Sequence, residues 1–522
     1  MTDLRTRPDI PVGPAPTPAR AWYALVGVLA ALAGIAAGHL AAALTNAAAS
    51  PVLSVGSVVI DLTPTPVKEA VIARVGTADK PILLAVVSLG TLLLAAVAGL
   101  LSRRRPSLGI VVLLVLVVLA GAAALTRPTA GVLDAVPAVV TAAVGVAVLL
   151  GLGHLLRSGY AVSRASGPVA GSSRRGFLLG ALGTTAGAAV AAAAGQQLAT
   201  RASDSSGVVL PAARNAAAPL PGGLEATVPG ISPFRTPTAS FYRVDTNLTV
   251  PRVSKDSWSL QIDGDVKNPV TLRYDDLLSM PLIERDITMT CVSNEVGGGY
   301  IGAARWLGVR LADVLDRAGV GTSSDQLLST AVDGFTISTP LAVVRDGRDA
   351  MVAIGMNGEP LTDTHGFPAR LITPGLYGFV GATKWLTKLT LTTYAAQQSY
   401  WTKREWATDA PIKTSARIDT PAPLSTVAAG RVAIGGVAWA QHRGVGKVEV
   451  QIDGGPWQAT QLGPDAGVDY WRQWYLPWDA TSGQHTLAVR ATDLTGAVQS
   501  DQRATPFPSG SSGIQQVVVL VS

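Results

Sequence analysis

Five apolar runs occupy most of the first 200 residues, at roughly 21–44, 81–102, 107–126, 131–156 and 176–198. Each is long enough to cross the hydrocarbon core of a bilayer, which takes about 20 helical residues. In lipid the backbone polar groups of such a run must bond within the segment, so each is predicted to be a helix. Beyond about residue 200 the composition is that of a water-soluble protein, and every Trp except Trp22 lies there. The expected division is a transmembrane anchor region at 1–199, a flexible Ala/Gly/Pro/Ser-rich linker at 200–236, a mixed α+β domain at 237–412 and a β-sandwich at 413–522.

The basic residues carry topology. Arg5, Arg7 and Arg20 precede the first run, Arg103-Arg104-Arg105 separates the second and third, and Arg157, Arg164, Arg174 and Arg175 lie between the fourth and fifth. The opposite ends carry only Lys68, Arg74, Lys80 and Arg127. Placing the richer set in the cytoplasm satisfies the positive-inside rule and puts residues 200–522 on the extracytoplasmic side. Four spans, with 176–198 as a buried hairpin or core helix, would invert this. The net charge of +6 does not point to nucleic acid, because many arginines border apolar runs. Ser173-Arg174-Arg175-Gly176-Phe177-Leu178-Leu179 resembles a twin-arginine export motif. Two arginines anchoring a helix at the cytoplasmic face would read the same way.

In the polar half, Trp258–Ile262 and Val270–Leu272 read as strands, Tyr274–Met280 as a short helix and Leu307–Ala318 as an amphipathic helix with Leu307, Leu311, Val314 and Leu315 on one face. From about residue 415, Val432–Ile434, Lys447–Ile452, Trp471-Gln473-Tyr475 and Thr486–Arg490 alternate between Gly- and Asp-rich turns, and Asp453-Gly454-Gly455 signals a hairpin. Regular short strands of this kind predict an immunoglobulin-like sandwich.

Cys291 is the only cysteine in the chain, so it forms no internal disulfide. A small buried core residue and a soft metal ligand both fit a lone thiol. Its surroundings decide between them. Asp286-Ile287-Thr288-Met289-Thr290-Cys291-Val292-Ser293-Asn294 is followed by Ala304-Arg305-Trp306-Leu307-Gly308, then Met356-Asn357-Gly358-Glu359-Pro360-Leu361, His365-Gly366-Phe367-Pro368-Ala369-Arg370, Pro374-Gly375-Leu376-Tyr377-Gly378 and Lys384-Trp385-Leu386. In this order and spacing the segments resemble the molybdopterin domain of the sulfite oxidase family, over roughly 238–410.

The resemblance implies a molybdenum–molybdopterin cofactor with Cys291 as the protein ligand to the metal, and two-electron oxygen-atom transfer on a small substrate. It implies that Arg370, His365 and Lys384, with the backbone around Gly381 and Ala382, hold the pterin and its phosphate. Tyr242 and Arg243 match an early loop that packs on the cofactor. It also implies a homodimer through the sandwich. A guanidinium among apolar neighbours needs an anionic partner, so Arg370 is the hardest of these to assign to structure alone. A domain loaded with such a cofactor inside the cell crosses the membrane folded, which suits twin-arginine export.

Three positions depart from the family. An arginine of the early loop aligns with Asp245, the arginine after the metal cysteine aligns near Glu295 or Val296, and a tyrosine becomes Ile354, followed by Gly355. The implied pocket is less cationic and lacks that phenol, so sulfite and organic S- or N-oxides all stay open as substrates, in either direction. Gly297–Gly302 fits a dinucleotide-binding pattern but lacks the strand–turn–helix around it and reads as a loop beside the metal. His39 and His154 fall near opposite membrane faces, which does not suit a bis-histidine haem. One cysteine cannot hold an iron–sulfur cluster, so electrons must pass to a separate carrier, a cytochrome or a quinone-linked membrane protein. A non-catalytic cell-envelope binding module of the same fold is the alternative. A transporter fits poorly, because few residues in the spans ionise (Asp134 is one).

Overall fold

The computed structural model describes residues 19–64, 67–68, 71, 74–75, 78–165, 171–199 and 204–522. The chain divides into two units, 1–201 with 247–249 and 202–246 with 250–522.

In the first unit, five helices among the described residues are long and apolar enough to cross a membrane: Arg20–Leu44, Asp79–Ser102, Pro106–Leu125, Val132–Ser158 and Arg175–Ala199. They match the five runs read from the sequence. A shorter apolar helix, Pro51–Leu62, was not anticipated. Helical backbone runs on to Ala165 and starts again at Gly171, so Arg157, Arg164, Arg174 and Arg175 lie on helices rather than in an extended loop. The helices meet through small residues. A Cβ on Gly27 would collide with the Ala95 carbonyl, and one on Gly99 with the Tyr23 carbonyl. Such close backbone approach is how helices associate where lipid removes the hydrophobic drive. Asp134 is buried at a helix start, where it accepts from the Gly131 amide and the Asn46 side chain, both at 3.0 Å.

The second unit begins with a five-stranded mixed sheet of order β2-β1-β10-β5-β6: β1 (Ser259–Gly264), β2 (Val270–Arg273), β5 (Gln326–Ala331), β6 (Thr336–Pro340) and β10 (Leu386–Thr392). A second sheet runs β3-β4-β7-β8, with β9 on β7: β3 (Leu282–Thr290), β4 (Ile301–Arg310), β7 (Met351–Met356), β8 (Glu359–Pro360) and β9 (Arg370–Ile372). One core joins them, with Leu260, Ile262, Ile287, Trp306, Val352, Phe367 and Leu389 almost wholly buried. The helix expected from Leu307 starts at Leu311, because Leu307–Arg310 completes β4 in register with β3 and β7. Leu311, Val314 and Leu315 then form its buried face, as the spacing requires.

Two further sheets follow. One runs β11-β13-β17-β16: β11 (Ser415–Thr420), β13 (Gly430–Trp439), β16 (Gln461–Leu462) and β17 (Arg472–Ala480). The other runs β12-β19-β18-β14-β15: β12 (Thr426–Val427), β14 (Val445–Ile452), β15 (Gln458–Ala459), β18 (Gly483–Asp493) and β19 (Gln515–Val521). Inward residues of both, among them Ile434, Trp474, Val450, Leu487 and Val519, share one core. Asp453 and Gly454, both at positive φ, turn β14 into β15.

The segment expected to be a tether is anchored over its second half. Val228, Ile231 and Phe234 are buried, the Leu224 amide donates to Gln473 Oε1 at 2.7 Å, and the Phe234 carbonyl accepts from Trp471 Nε1 at 2.7 Å. Scattered large apolar residues in a Pro/Gly-rich stretch were enough to anchor it. Residues 200–203 lie outside the described residues.

Candidate functional site

Cys291 directly follows the end of β3 and is 8% exposed. Its amide donates to the Tyr300 carbonyl at 2.9 Å, and its carbonyl accepts from the Asn294 amide at 3.0 Å. Asn294 Oδ1 in turn accepts from the Tyr300 amide at 2.8 Å, closing residues 291–300 into a loop with the thiol at its root. Gly297–Tyr300 belongs to this loop, whereas Ile301 and Gly302 open β4. Burial pushes the Cys291 thiol up; the Ser293 amide and hydroxyl and the Lys384 ammonium act against that. A cation placed at the sulfur would tip it to thiolate.

The early loop brings Tyr242 and Arg243 in. Tyr242 stacks on Phe241 at 5.2 Å between ring centroids, and Phe241 meets the edge of Trp306. The Tyr242 phenol is pushed up, by burial first and then by the Cys291 thiolate, with Arg370 opposing. Arg243 is exposed and forks onto Asp245, with Nε–Oδ2 at 2.7 Å.

The 362–372 segment supplies the next pair. His365 is buried, and its Nδ1 lies 2.7 Å from Thr362 Oγ1, while Nε2 makes no well-formed hydrogen bond. Burial, with Arg370 and Lys384 adding, pushes the ring down to about 4, so it is neutral at ordinary pH. Arg370 opens β9 at 5% exposure. Its Nη1 donates to the His365 carbonyl at 3.2 Å, its guanidinium stands 5.2 Å above the Trp306 ring, and its Nε has no partner. No carboxylate pairs with Arg370 among the described residues. Burial draws its pKa down to about 10, with Tyr242 opposing.

Lys384 completes the set. Its Nζ lies 2.9 Å from Asp245 Oδ2 and 4.7 Å from the Trp385 ring centroid. Burial brings it down to about 8 against the pull of Asp245. Gly366, at φ 104°, lets Lys384 approach closely, since a Cβ there would come within 3.0 Å of the Lys384 backbone and Cβ. Gly381 ends a single helical turn, Gly378–Gly381, and is buried, whereas the Ala382 amide already donates to the Gly378 carbonyl at 3.0 Å.

The sequence-predicted residues therefore form two linked groups: Cys291, Tyr242, Arg370 and His365, coupled by charge and contact, and Lys384 with Arg243, joined through Asp245. Gly381 and Ala382 contribute backbone only. Tyr377 was not singled out from the sequence as a site residue. It is buried and electrostatically coupled to Cys291, and burial pushes its phenol up to about 12. It stands inside the Pro374–Gly378 run, which was the available signal. Ile354 is fully buried in the core.

A buried guanidinium without a carboxylate is strongly unfavourable unless an anion arrives. Arg370 with an unpartnered Nε, His365 Nε2 without a well-formed hydrogen bond and a thiol within reach of the Lys384 charge fit a group that brings a metal, a heterocycle and a phosphate. The oxidoreductase molybdopterin binding domain model matches residues 247–401.

The chain carries an oxidoreductase molybdopterin-binding domain similar to that of sulfite oxidases.

Human mitochondrial sulfite oxidase is 31% identical over 321 residues, 51% of this chain and 58% of that protein. Nitrate reductase [NADH] 1 of rice, Oryza sativa subsp. japonica, is 27% identical over 330 residues, 52% of this chain and 35% of that protein. The chain thus spans less than two thirds of the length of these curated relatives. The crystal structure of the sulfane dehydrogenase SoxCD from Paracoccus pantotrophus superposes with a TM-score of 0.49 at 25% identity, covering 55% of this chain and 83% of that one. The cofactor of this molybdopterin-binding domain is molybdenum–molybdopterin.

Proposed function

We propose that this protein is a membrane-tethered, extracytoplasmic molybdenum oxidoreductase that transfers an oxygen atom to or from a small sulfur- or nitrogen-oxide substrate. The observation that carries the reading is the buried Arg370 guanidinium, which pairs with no carboxylate among the described residues and lies in one site with Cys291, His365 and Tyr242. When bound, molybdenum–molybdopterin supplies a centre that changes oxidation state by two electrons. Cys291 would be its protein ligand. Arg370 and Lys384 would hold the anionic end, Arg370 with the planar fork suited to phosphate. His365, held through Nδ1 by Thr362, would present Nε2 to the heterocycle. Tyr242 would pack on it from the early loop, Arg243 would fix that loop through Asp245, and Gly381 and Ala382 would give the backbone room to approach.

The charge balance bears on the substrate. The Asp245 side chain is 5% exposed and binds two of the cations, Arg243 and Lys384. A site whose cations are partly neutralised favours a neutral or singly charged oxide over a dianion. S- and N-oxides therefore fit better than sulfite.

The five apolar helices and the distribution of arginines support a cell-membrane anchor with the catalytic domain outside. The two C-terminal sheets support an immunoglobulin-like sandwich that mediates a homodimer. Electrons would pass to a separate cytochrome or quinone-linked protein. The deciding experiment is molybdenum and pterin content of protein purified in mild detergent, beside Cys291→Ser. Near-stoichiometric molybdenum, with an altered metal spectrum in the variant, is expected. Well-folded protein without molybdenum from a cofactor-competent host would sink the enzyme reading.

A further inference from the structure

β3 is an edge strand, so the outer side of its ladder needs partners from elsewhere. At its start Asn215 supplies them, exchanging bonds with Leu282 and Glu284. At its end, immediately before Cys291, the C-terminal β region supplies them. The Thr288 amide donates to the Asp469 carbonyl at 2.9 Å, and Thr288 Oγ1 accepts from the Trp471 amide at 2.8 Å. Gln441, just beyond β13 and wholly buried, donates Nε2 to Thr290 Oγ1 at 3.1 Å and to the Thr288 carbonyl at 3.4 Å.

The far end of the cysteine loop is gripped from the same region. Ser511 Oγ donates to the Asn294 carbonyl at 2.6 Å, and Arg417 Nη1 to the Gly298 carbonyl at 2.9 Å. Both ends of residues 291–300 are therefore fixed by residues far along the chain. Gln441 Oε1 meanwhile has no partner. A buried amide satisfied on one side only is worse for stability than an apolar side chain of the same shape, so stability alone does not account for it.

We propose that Gln441 is a positioning residue for Cys291: through Thr290 and Thr288 the C-terminal β region sets where the thiol sits, and is part of the site rather than an appended module. The proposal rests on the reading of Cys291 as the metal ligand. Partners that orient a ligand typically change metal affinity or activity by about tenfold or more when removed.

Gln441→Leu and Thr290→Val each remove the bond while keeping volume, and Gln484→Leu, at an exposed position of β18, is the control. The protein's only thiol is Cys291, so alkylation of the full-length, cofactor-free protein by iodoacetamide reports that residue alone. Both site variants should alkylate faster than wild type and control. When loaded, they should show a shifted Mo(V) paramagnetic spectrum and about tenfold lower kcat at unchanged KM. Unchanged alkylation and spectrum in folded variants would overturn the proposal. If Gln441→Leu does not fold, Thr290→Val decides. Wild type that binds no molybdenum would refute the enzyme reading instead, and the alkylation rates would still test the positioning.

Discussion

The molybdopterin domain and the C-terminal β region are built from similar strands but treat charge in opposite ways. In the C-terminal region, carboxylates are matched by cations whether buried, as in Asp493 with Arg443 at 3.0 Å and Glu449 with Arg490 at 2.9 Å, or at the rim, as in Asp465 with Arg472 at 2.8 Å, around an apolar core. In the molybdopterin domain, Arg370, His365 and Lys384 are drawn inside, and burial is the first cause of each pKa displacement. One region is arranged to fold; the other holds buried charge that, on the proposed reading, an anionic ligand compensates. The difference marks the site more clearly than any single residue.

The comparison can be broken most decisively in the apolar core. Trp474 is wholly buried there, and Trp474→Ala should cost about 3–5 kcal/mol in thermal or urea unfolding. A cost near that of a surface substitution would show that this core does not hold the region together. The opposite sign is expected at Arg370. Replacing the unpaired buried cation in Arg370→Met should stabilise the cofactor-free protein by about 1–4 kcal/mol, while molybdenum retention falls sharply. Loss of stability on that replacement would mean the guanidinium is already compensated within the chain.

A pH titration sharpens the same point. His365 titrates at about 4 in the folded protein against an ordinary 6.5. The unfolded chain takes up the proton first, so the stability linked to the neutral ring is complete above pH 6.5 and is lost as pH falls through 4. His365→Gln should flatten that acid-side loss in melts of cofactor-free protein; an unaltered slope would assign it to other groups. The smallest effect belongs to the rim. Asp465→Asn leaves Arg472 without its carboxylate but should cost less than about 1 kcal/mol and leave molybdenum content unchanged.

Much of this was legible from residues alone. Runs of apolar residues fix helix length, because the requirement is local and set by bilayer thickness, and the five helices fall where the runs do. The motif from Cys291 to Lys384 named the molybdopterin domain, since its members keep a fixed order along the chain. Other features were decided only by tertiary structure. Leu307 became strand because β3 and β7 flank it, which overrode its helical spacing. Residues expected to tether the domain were anchored by Phe234 and the Leu224 amide, whose partners Trp471 and Gln473 lie hundreds of positions away. Asp245 became a bridge between Arg243 and Lys384, and Gln441 became a neighbour of Thr290, only once distant segments were packed together. Periodicity and spacing are read along the chain, whereas the charge balance of a buried site is a sum over groups that meet only when it folds.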